Sequence, residues 1–280
     1  MTRGILHCAE RLETKVDKTV REIVRNYEVL TNAKNLVIVS GPAREAHDRL
    51  LACFSAPRSE LEITAILSSV DVQRILPTLR HLNAQAHRDT EEYLAQRYLT
   101  CAGQADPFKD SWINTGFTAL LAGQVARWRA ARIITDEEAK PIVMVGGGAL
   151  PQTQVFLHRE TGRSVVAIER DVTAATLAGE VLRKAGYNQR LSVVAEDGAD
   201  YDYQSCSIVV VATLVASKLD IAARVALTCP TAFLSPRTPV GLHCLWREPL
   251  SVQEFGKLGW MLVDKWAPNG SSVAALTFKQ

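Results

Sequence analysis

From Pro141 to the end, the chain repeats one pattern: a short run of β-branched residues, then a helix-forming stretch. PIVMV runs into Gly146-Gly147-Gly148 and a helix from about Pro151; SVVAIERD leads to TAATLAGEVLRKAG; LSVVAED follows. SIVVVATLV leads to LDIAARVALTC, and TAFLSP closes the alternation. Strands separated by helices require right-handed crossovers and so a largely parallel sheet. SIVVVATLV is apolar at consecutive positions, as a strand covered on both faces must be. After SVQEFGKLG come two more strand-like runs, WMLVDKWA and SSVAALTFK, joined through Pro268-Asn269-Gly270. Asn-Gly suits a hairpin turn, which the flanking residues can widen. Five crossover strands followed by a terminal hairpin match the sheet of S-adenosylmethionine (SAM) methyltransferase-like folds better than a two-half dinucleotide fold.

Residues 1–135 follow another grammar. CAERLETKVDKTVREIVRNYEVLT places Leu12, Val16, Val20, Ile23, Val24 and Leu30 at helical spacing, with charges between. NAKNLVIVSG reads as a linking stretch, and the residues from Pro42 to Leu99 continue the helical pattern. Asp71 suits a helix start, and Pro77 predicts a kink or division. CAGQADPFKDSW is a break before a further apolar helix, WINTGFTALLAGQVARWRAARII. The expected organisation is an α-helical bundle over 1–135 and a Rossmann-like α/β domain over 136–280.

Composition excludes several classes. The 280 residues are 47% hydrophobic and 22% charged, which is ordinary globular content. No apolar run reaches the roughly 18 to 20 residues of a membrane span, and MTRGILHCAERLETK becomes charged too soon for a secretion signal, so a soluble cytoplasmic protein is expected. The net charge of +2 comes from 32 scattered basic and 30 acidic residues, without the basic patch a nucleic-acid partner leaves. The six cysteines contain no C-x-x-C pair and the six histidines no H-E-x-x-H, so buried thiols are expected, and neither a metal site nor a zinc hydrolase.

VMVGGGALPQT carries the strongest local signal. A buried strand enters three glycines and then a helix whose first N–H groups have no partner within the helix. Some twenty residues later stand Glu169, Arg170 and Asp171, where an acid at a strand end can accept both hydroxyls of a ribose. The fingerprint for dinucleotides needs a small residue at its last position, where this chain has Pro151. That argues against NAD, whereas SAM, which has no phosphate, tolerates this loop. Asp197, before Gly198 at the end of the third strand, is placed to accept from an adenine amino group. The competing readings are a plain glycine turn, a helix-capping acid and a solvent-facing loop acid.

The segments GGGALPQT, IERD, AEDGADYD, VVVATLVASK and SPRTPVGLHCLW resemble the nicotianamine synthase family. The resemblance is greatest to the bacterial branch that builds opine metallophores of the staphylopine and pseudopaline type. Gly146, Gly148, Leu150, Pro151 and Thr153 match that family's G-x-G-P-L-P-x-T loop, and Ala212, Thr213 and Leu214 match its strand end. Arg237 and Gly241 match its R-x-x-x-G segment. The resemblance implies SAM as co-substrate and transfer of its 2-aminobutanoyl arm, not its methyl group, to an amine, with release of 5′-methylthioadenosine. In the opine branch the acceptor is the α-amino group of histidine, and a separate opine dehydrogenase takes the product.

The resemblance also implies site residues. Glu60 and Glu62 fall on the family's acidic helix segment, with Glu62 expected to bind or deprotonate the amine; a solvated helix face is the alternative. Trp112, Asn114 and Phe117 remain of an aromatic segment whose tyrosines are missing, which suits a single-transfer enzyme. They line the acceptor site or simply pack in the core. Arg237 follows the fifth strand and is expected to clamp a carboxylate, against a surface salt bridge. A small-molecule N-methyltransferase and a non-catalytic nucleoside-binding module stay open beside this reading, as does a homodimer.

Overall fold

The computed structural model describes residues 2–103, 107–108, 114–135 and 140–280; of 2–12 and 114–117 it describes the backbone alone. The chain divides into two units, residues 1–90 with 239–248, and residues 91–238 with 249–280.

The first unit holds α1 (Thr2–Thr31), α2 (Gly41–Ser55), α3 (Glu60–Leu67), most of α4 (Val70–Thr100) and a 3-10 turn (Gly241–Leu245). Ile23, Leu30, Leu50, Phe54 and Leu79 form its core with Leu245 and Trp246. The residues between α1 and α2 are a connection, as expected. α4 is not divided at Pro77, and Asp71 lies in its first turn, bonded to Arg74 at 2.8 Å.

The second unit is the α/β domain. Its seven strands are β1 (Ile142–Val145), β2 (Val165–Glu169), β3 (Leu191–Ala195), β4 (Ile208–Val211), β5 (Phe233–Pro239), β6 (Met261–Trp266) and β7 (Val273–Lys279). They lie in the order β3-β2-β1-β4-β5-β7-β6, with β1 to β5 parallel and β6 antiparallel to β7. This is the α/β sheet the sequence led us to expect. The hairpin loop is widened to residues 267–272, with Ser271 N–H bonded to Pro268 O at 3.0 Å.

The pleat decides which helix covers which face. Ile142, Met144, Ile208 and Val210 pack with α5 (Asn114–Ala130), α6 (Gln152–Thr161) and α7 (Val172–Lys184). Val143, Val145, Val209 and Val211 point the other way, toward α8 (Lys218–Thr228) and α9 (Val252–Lys257). Both faces of the central strands are therefore buried, which explains their continuous apolar runs.

The division between units falls at residue 90, not at 135, and the first unit takes back 239–248. The reason is packing. Ala95 and Tyr98 of α4, and Leu121, Val125 and Trp128 of α5, share one core with β1 and α6. Lys184 Nζ donates to the carbonyl oxygens of Tyr98, Leu99 and Cys101 at 2.6, 3.1 and 2.8 Å, closing the end of α4. Trp128 is fully buried, and its indole N–H donates to Thr277 Oγ1 at 3.1 Å. Trp128→Ala is expected to cost about 3–5 kcal/mol of stability, measured by urea unfolding. A loss under about 1 kcal/mol would mean that α5 is not part of this core.

Five described cysteines are free thiols, but only Cys206 and Cys229 are buried; Cys101 is exposed. No helix among the described residues is long and apolar enough to cross a membrane.

Candidate functional site

Strand β1 ends at Val145, and the chain turns away through Gly146 with φ +82° and Gly148 with φ +65°. Both angles lie in the region where side chains are strained. Space is short as well: a Cβ on Gly146 would meet Val215 Cγ2 at 2.6 Å, and one on Gly147 would meet Ala167 Cβ at 3.0 Å. The loop then buries Leu150 and Pro151, and Pro151 is the N-cap of α6.

Glu169, at the end of β2, reaches back across this loop. Its Oε2 accepts the Gly148 N–H at 2.9 Å, and its Oε1 accepts the Asp171 N–H at 3.0 Å. The helix cap belongs to Asp171, which accepts from Thr173 and Ala174 at 2.9 and 3.1 Å. Glu169 is thus relieved of capping, and an ionised carboxylate with two bonds made keeps acceptor capacity for hydroxyls. Arg170 beside it is exposed.

A second carboxyl meets the same loop. Glu91, on α4, is hydrogen-bonded by the backbone N–H groups of Leu150 and Ala149. A Cβ placed on Gly148 would stand 2.0 Å from its Oε2. Burial pushes the Glu91 pKa up to about 8; the nearby Glu169 charge adds to the rise, and the two N–H groups oppose it. With that pKa, Glu91 exchanges its proton near neutral pH.

The remaining loops close the same edge of the sheet. Asp197 Oδ1 accepts the Ala199 N–H at 2.9 Å, fixing the turn after β3. Gly198 is buried beneath Tyr203, whose hydroxyl donates to the Gly198 carbonyl at 2.7 Å. After β4, Ala212 N–H bonds Val145 O at 3.0 Å and starts the turn through Thr213 and Leu214. Buried Lys218 fastens that turn, donating to Thr213 O at 2.9 Å and to Val215 O.

Arg237 is no surface residue. It is 2% exposed on β5, and its Nη1 donates to Thr153 Oγ1 at 3.3 Å. Burial lowers its pKa to about 10, which leaves it charged at neutral pH. Two residues of the family-like loops, far apart in sequence, are thereby joined.

The expected base is placed differently. Glu62 completes a capping box with Ser59: it accepts the Ser59 N–H at 2.8 Å, and Ser59 Oγ accepts the Glu62 N–H at 3.3 Å. Those bonds hold its carboxyl below the usual range, with Lys15 at 3.6 Å adding to the effect. A carboxylate so stabilised is a weak base. Glu60 sits exposed in the first turn of the same helix. Both belong to the first unit, whereas Glu91 belongs to the second. Asn114 and Phe117 lie at the start of α5, where only backbone is described, and Trp112 lies outside the described residues.

No family model matches the sequence, and no curated protein matches it significantly. Solved structures do match in fold. A glutamate-to-glutamine variant of the nicotianamine synthase MtNAS, in complex with S-adenosylmethionine, is 16% identical with a TM-score of 0.79, over 93% of this chain and 97% of that one. MtNAS in complex with MTA and tNA is 17% identical with a TM-score of 0.81, over 94% and 97% of the two chains. At such identities the likeness establishes architecture: this chain has the nicotianamine synthase-like fold, built on a SAM methyltransferase-like sheet.

Proposed function

We propose that this protein is a transferase that uses SAM as co-substrate and moves its 2-aminobutanoyl arm to the α-amino group of histidine, releasing 5′-methylthioadenosine. The observation that supports the reading is the pair of carboxyls at Gly148: Glu169, which accepts its N–H, and Glu91, whose pKa is raised to about 8. An amine acceptor arriving as ammonium must lose its proton before the lone pair can attack, whichever carbon of SAM it meets; Glu91 therefore supports an amine acceptor, and the shared fold bears on which arm moves. The fold shared with MtNAS, solved with S-adenosylmethionine in one structure and with MTA and tNA in another, supports the same reading.

The roles divide by chemistry. Glu169 accepts the ribose hydroxyls, Asp197 accepts the adenine amino group, and Gly146, Gly147 and Gly148 let the backbone approach. Ala212, Thr213 and Leu214 line the turn after β4. Arg237 binds a carboxylate, its fork set by Thr153. Glu91, ionised, takes the proton of the acceptor ammonium. The sulfonium of SAM supplies activated carbon, and selection of the γ-carbon comes from which carbon faces the amine in line. The product is an opine-type metallophore precursor that an opine dehydrogenase would consume.

Incubation with SAM and each enantiomer of histidine, followed by mass spectrometry, tests this. One added aminobutanoyl unit and methylthioadenosine are expected. S-Adenosylhomocysteine would establish methyl transfer instead, and SAM binding without turnover of any amino acid would leave a binding module. Glu62→Gln is expected to keep the transfer rate within about twofold, since a capping carboxylate takes no part in proton transfer. A rate loss beyond about tenfold would return the base to α3.

A further inference from the structure

Asp197 stands just beyond the sheet. Pairing between β2 and β3 reaches Glu196, whose N–H bonds Glu169 O at 3.2 Å. The next residues form a tight turn. The Asp197 carbonyl accepts the N–H groups of Asp200 and Tyr201 at 3.0 and 3.1 Å, and its Oδ1 accepts that of Ala199 at 2.9 Å. These bonds shape the turn from within. Gly198 and Tyr203 seat it on the domain. A Cβ on buried Gly198 would meet Val145 Cγ1, at the end of β1, at 2.5 Å, and Tyr203 Oη at 3.2 Å. From that side the Tyr203 hydroxyl donates to the Gly198 carbonyl at 2.7 Å.

Tyr203 is itself firmly held. It is fully buried, in one cluster with Val145, Val211 and Ile221. Its backbone N–H bonds Thr228 Oγ1 at 3.2 Å, and Arg224 Nε donates to Tyr201 O at 3.0 Å, so α8 grips this segment at two points. The ring of Tyr201 packs edge-on against that of Tyr203, with centroids 5.1 Å apart. Burial pushes the Tyr203 phenol pKa up, so the group keeps its proton and is the donor. A buried ring needs no hydroxyl in order to pack, and a buried hydroxyl is costly unless it is bonded. Tyrosine here does what phenylalanine cannot: it satisfies the buried Gly198 carbonyl and ties the turn to the core.

That tie bears on ligand choice because Asp197 is the next residue. An ionised carboxylate only accepts. Opposite the 6-amino group of a purine it gains a charge-assisted bond, and opposite a purine without that donor it gains none. Such a preference lasts only while the carboxylate is held in place.

We propose that Tyr203 is a positioning residue that sets the purine preference of the nucleoside site, holding Asp197, through the Gly198 carbonyl, where it accepts from a 6-aminopurine. The inference rests on the reading of this loop edge as a SAM site and deepens it. It is independent of which arm of SAM is transferred.

The test is calorimetric titration of the full chain with S-adenosylhomocysteine and with its 6-deamino analogue, which carries hydrogen in place of the amino group. The wild type is expected to prefer the adenine form by at least about tenfold. In Tyr203→Phe that preference should fall below about threefold, because the adenine form weakens while the deamino form stays within about twofold. General loosening of the domain would weaken both ligands alike, so the ratio separates positioning from mere packing; the melting temperature checks folding. Should Tyr203→Phe not fold, Thr228→Val, which deletes the hydroxyl that holds the Tyr203 N–H, should lower the preference about threefold. A folded Tyr203→Phe that keeps the full preference, or weakens both ligands equally, overturns the inference alone. So does a Thr228→Val without effect, where it serves as the substitute. Equal affinity of the wild type for both ligands would also overturn it, while the SAM reading stands. Binding of neither ligand would bring down the SAM reading and this inference together.

Discussion

Glu91→Gln is expected to lower kcat/KM for group transfer by about 10²–10⁴-fold while SAM affinity changes little. The amide keeps the size of the carboxyl but cannot take a proton from the acceptor ammonium. The pH dependence makes the test specific. With a Glu91 pKa of about 8, the active, ionised form is the minor one at neutral pH. The wild-type kcat/KM should therefore rise with pH and level off above about 8, and Glu91→Gln should lose that rise. Stability moves in the opposite sense. The folded-state pKa lies above the ordinary carboxylate value, so the folded state binds this proton more tightly than the unfolded chain does. Its contribution is complete below about pH 4.5 and is lost as pH rises through about 8. Relative to wild type, Glu91→Gln should melt higher at pH 9 and gain little at pH 4. A variant with near-normal turnover and an unchanged pH profile would remove Glu91 from the chemistry.

The α/β half was legible because its constraints are local. Val143, Val145, Val209 and Val211 face one side, and Ile142, Met144, Ile208 and Val210 the other, so both faces need apolar residues and the strands announce themselves. The position of Glu169 beside the glycine loop was legible for a similar reason: strand, glycine loop, helix, strand and acid form one continuous unit, and Asp171 takes the capping role. The helical half was less transparent. An amphipathic helix shows that it buries a face but not against what, so nothing local separates the part of α4 in the first unit from Ala95 and Tyr98 beneath the sheet. The carboxyl we propose as the base was hidden for the same reason. Ser59-x-x-Glu62 carries the capping-box spacing, a readable sign that Glu62 was already engaged. Glu91 and Glu92 look like any solvated helical pair, because the burial that raises the Glu91 pKa comes from a loop more than fifty residues away.

Gly148→Ala should be almost as damaging as the loss of Glu91, and for a related reason. At φ +65° an alanine is strained by roughly 1–2 kcal/mol. Its methyl group would also stand where the Glu91 carboxyl now lies, 2.0 Å from Oε2. The flexible end of Glu91 must give way, leaving the N–H groups of Leu150 and Ala149 and the low-dielectric position that raises its pKa. A loss of about 10²-fold in kcat/KM is expected. Gly147→Ala is the control: its φ is ordinary and its nearest contact is Ala167 Cβ at 3.0 Å, so about a tenfold loss at most is expected. The decisive measurement is the double variant. If Gly148→Ala acts mainly by displacing the Glu91 carboxyl, then adding it to Glu91→Gln should cost far less than the two single effects combined. Full additivity would mean that the glycine and the acid act separately, and that the contact at Gly148 does not position the base.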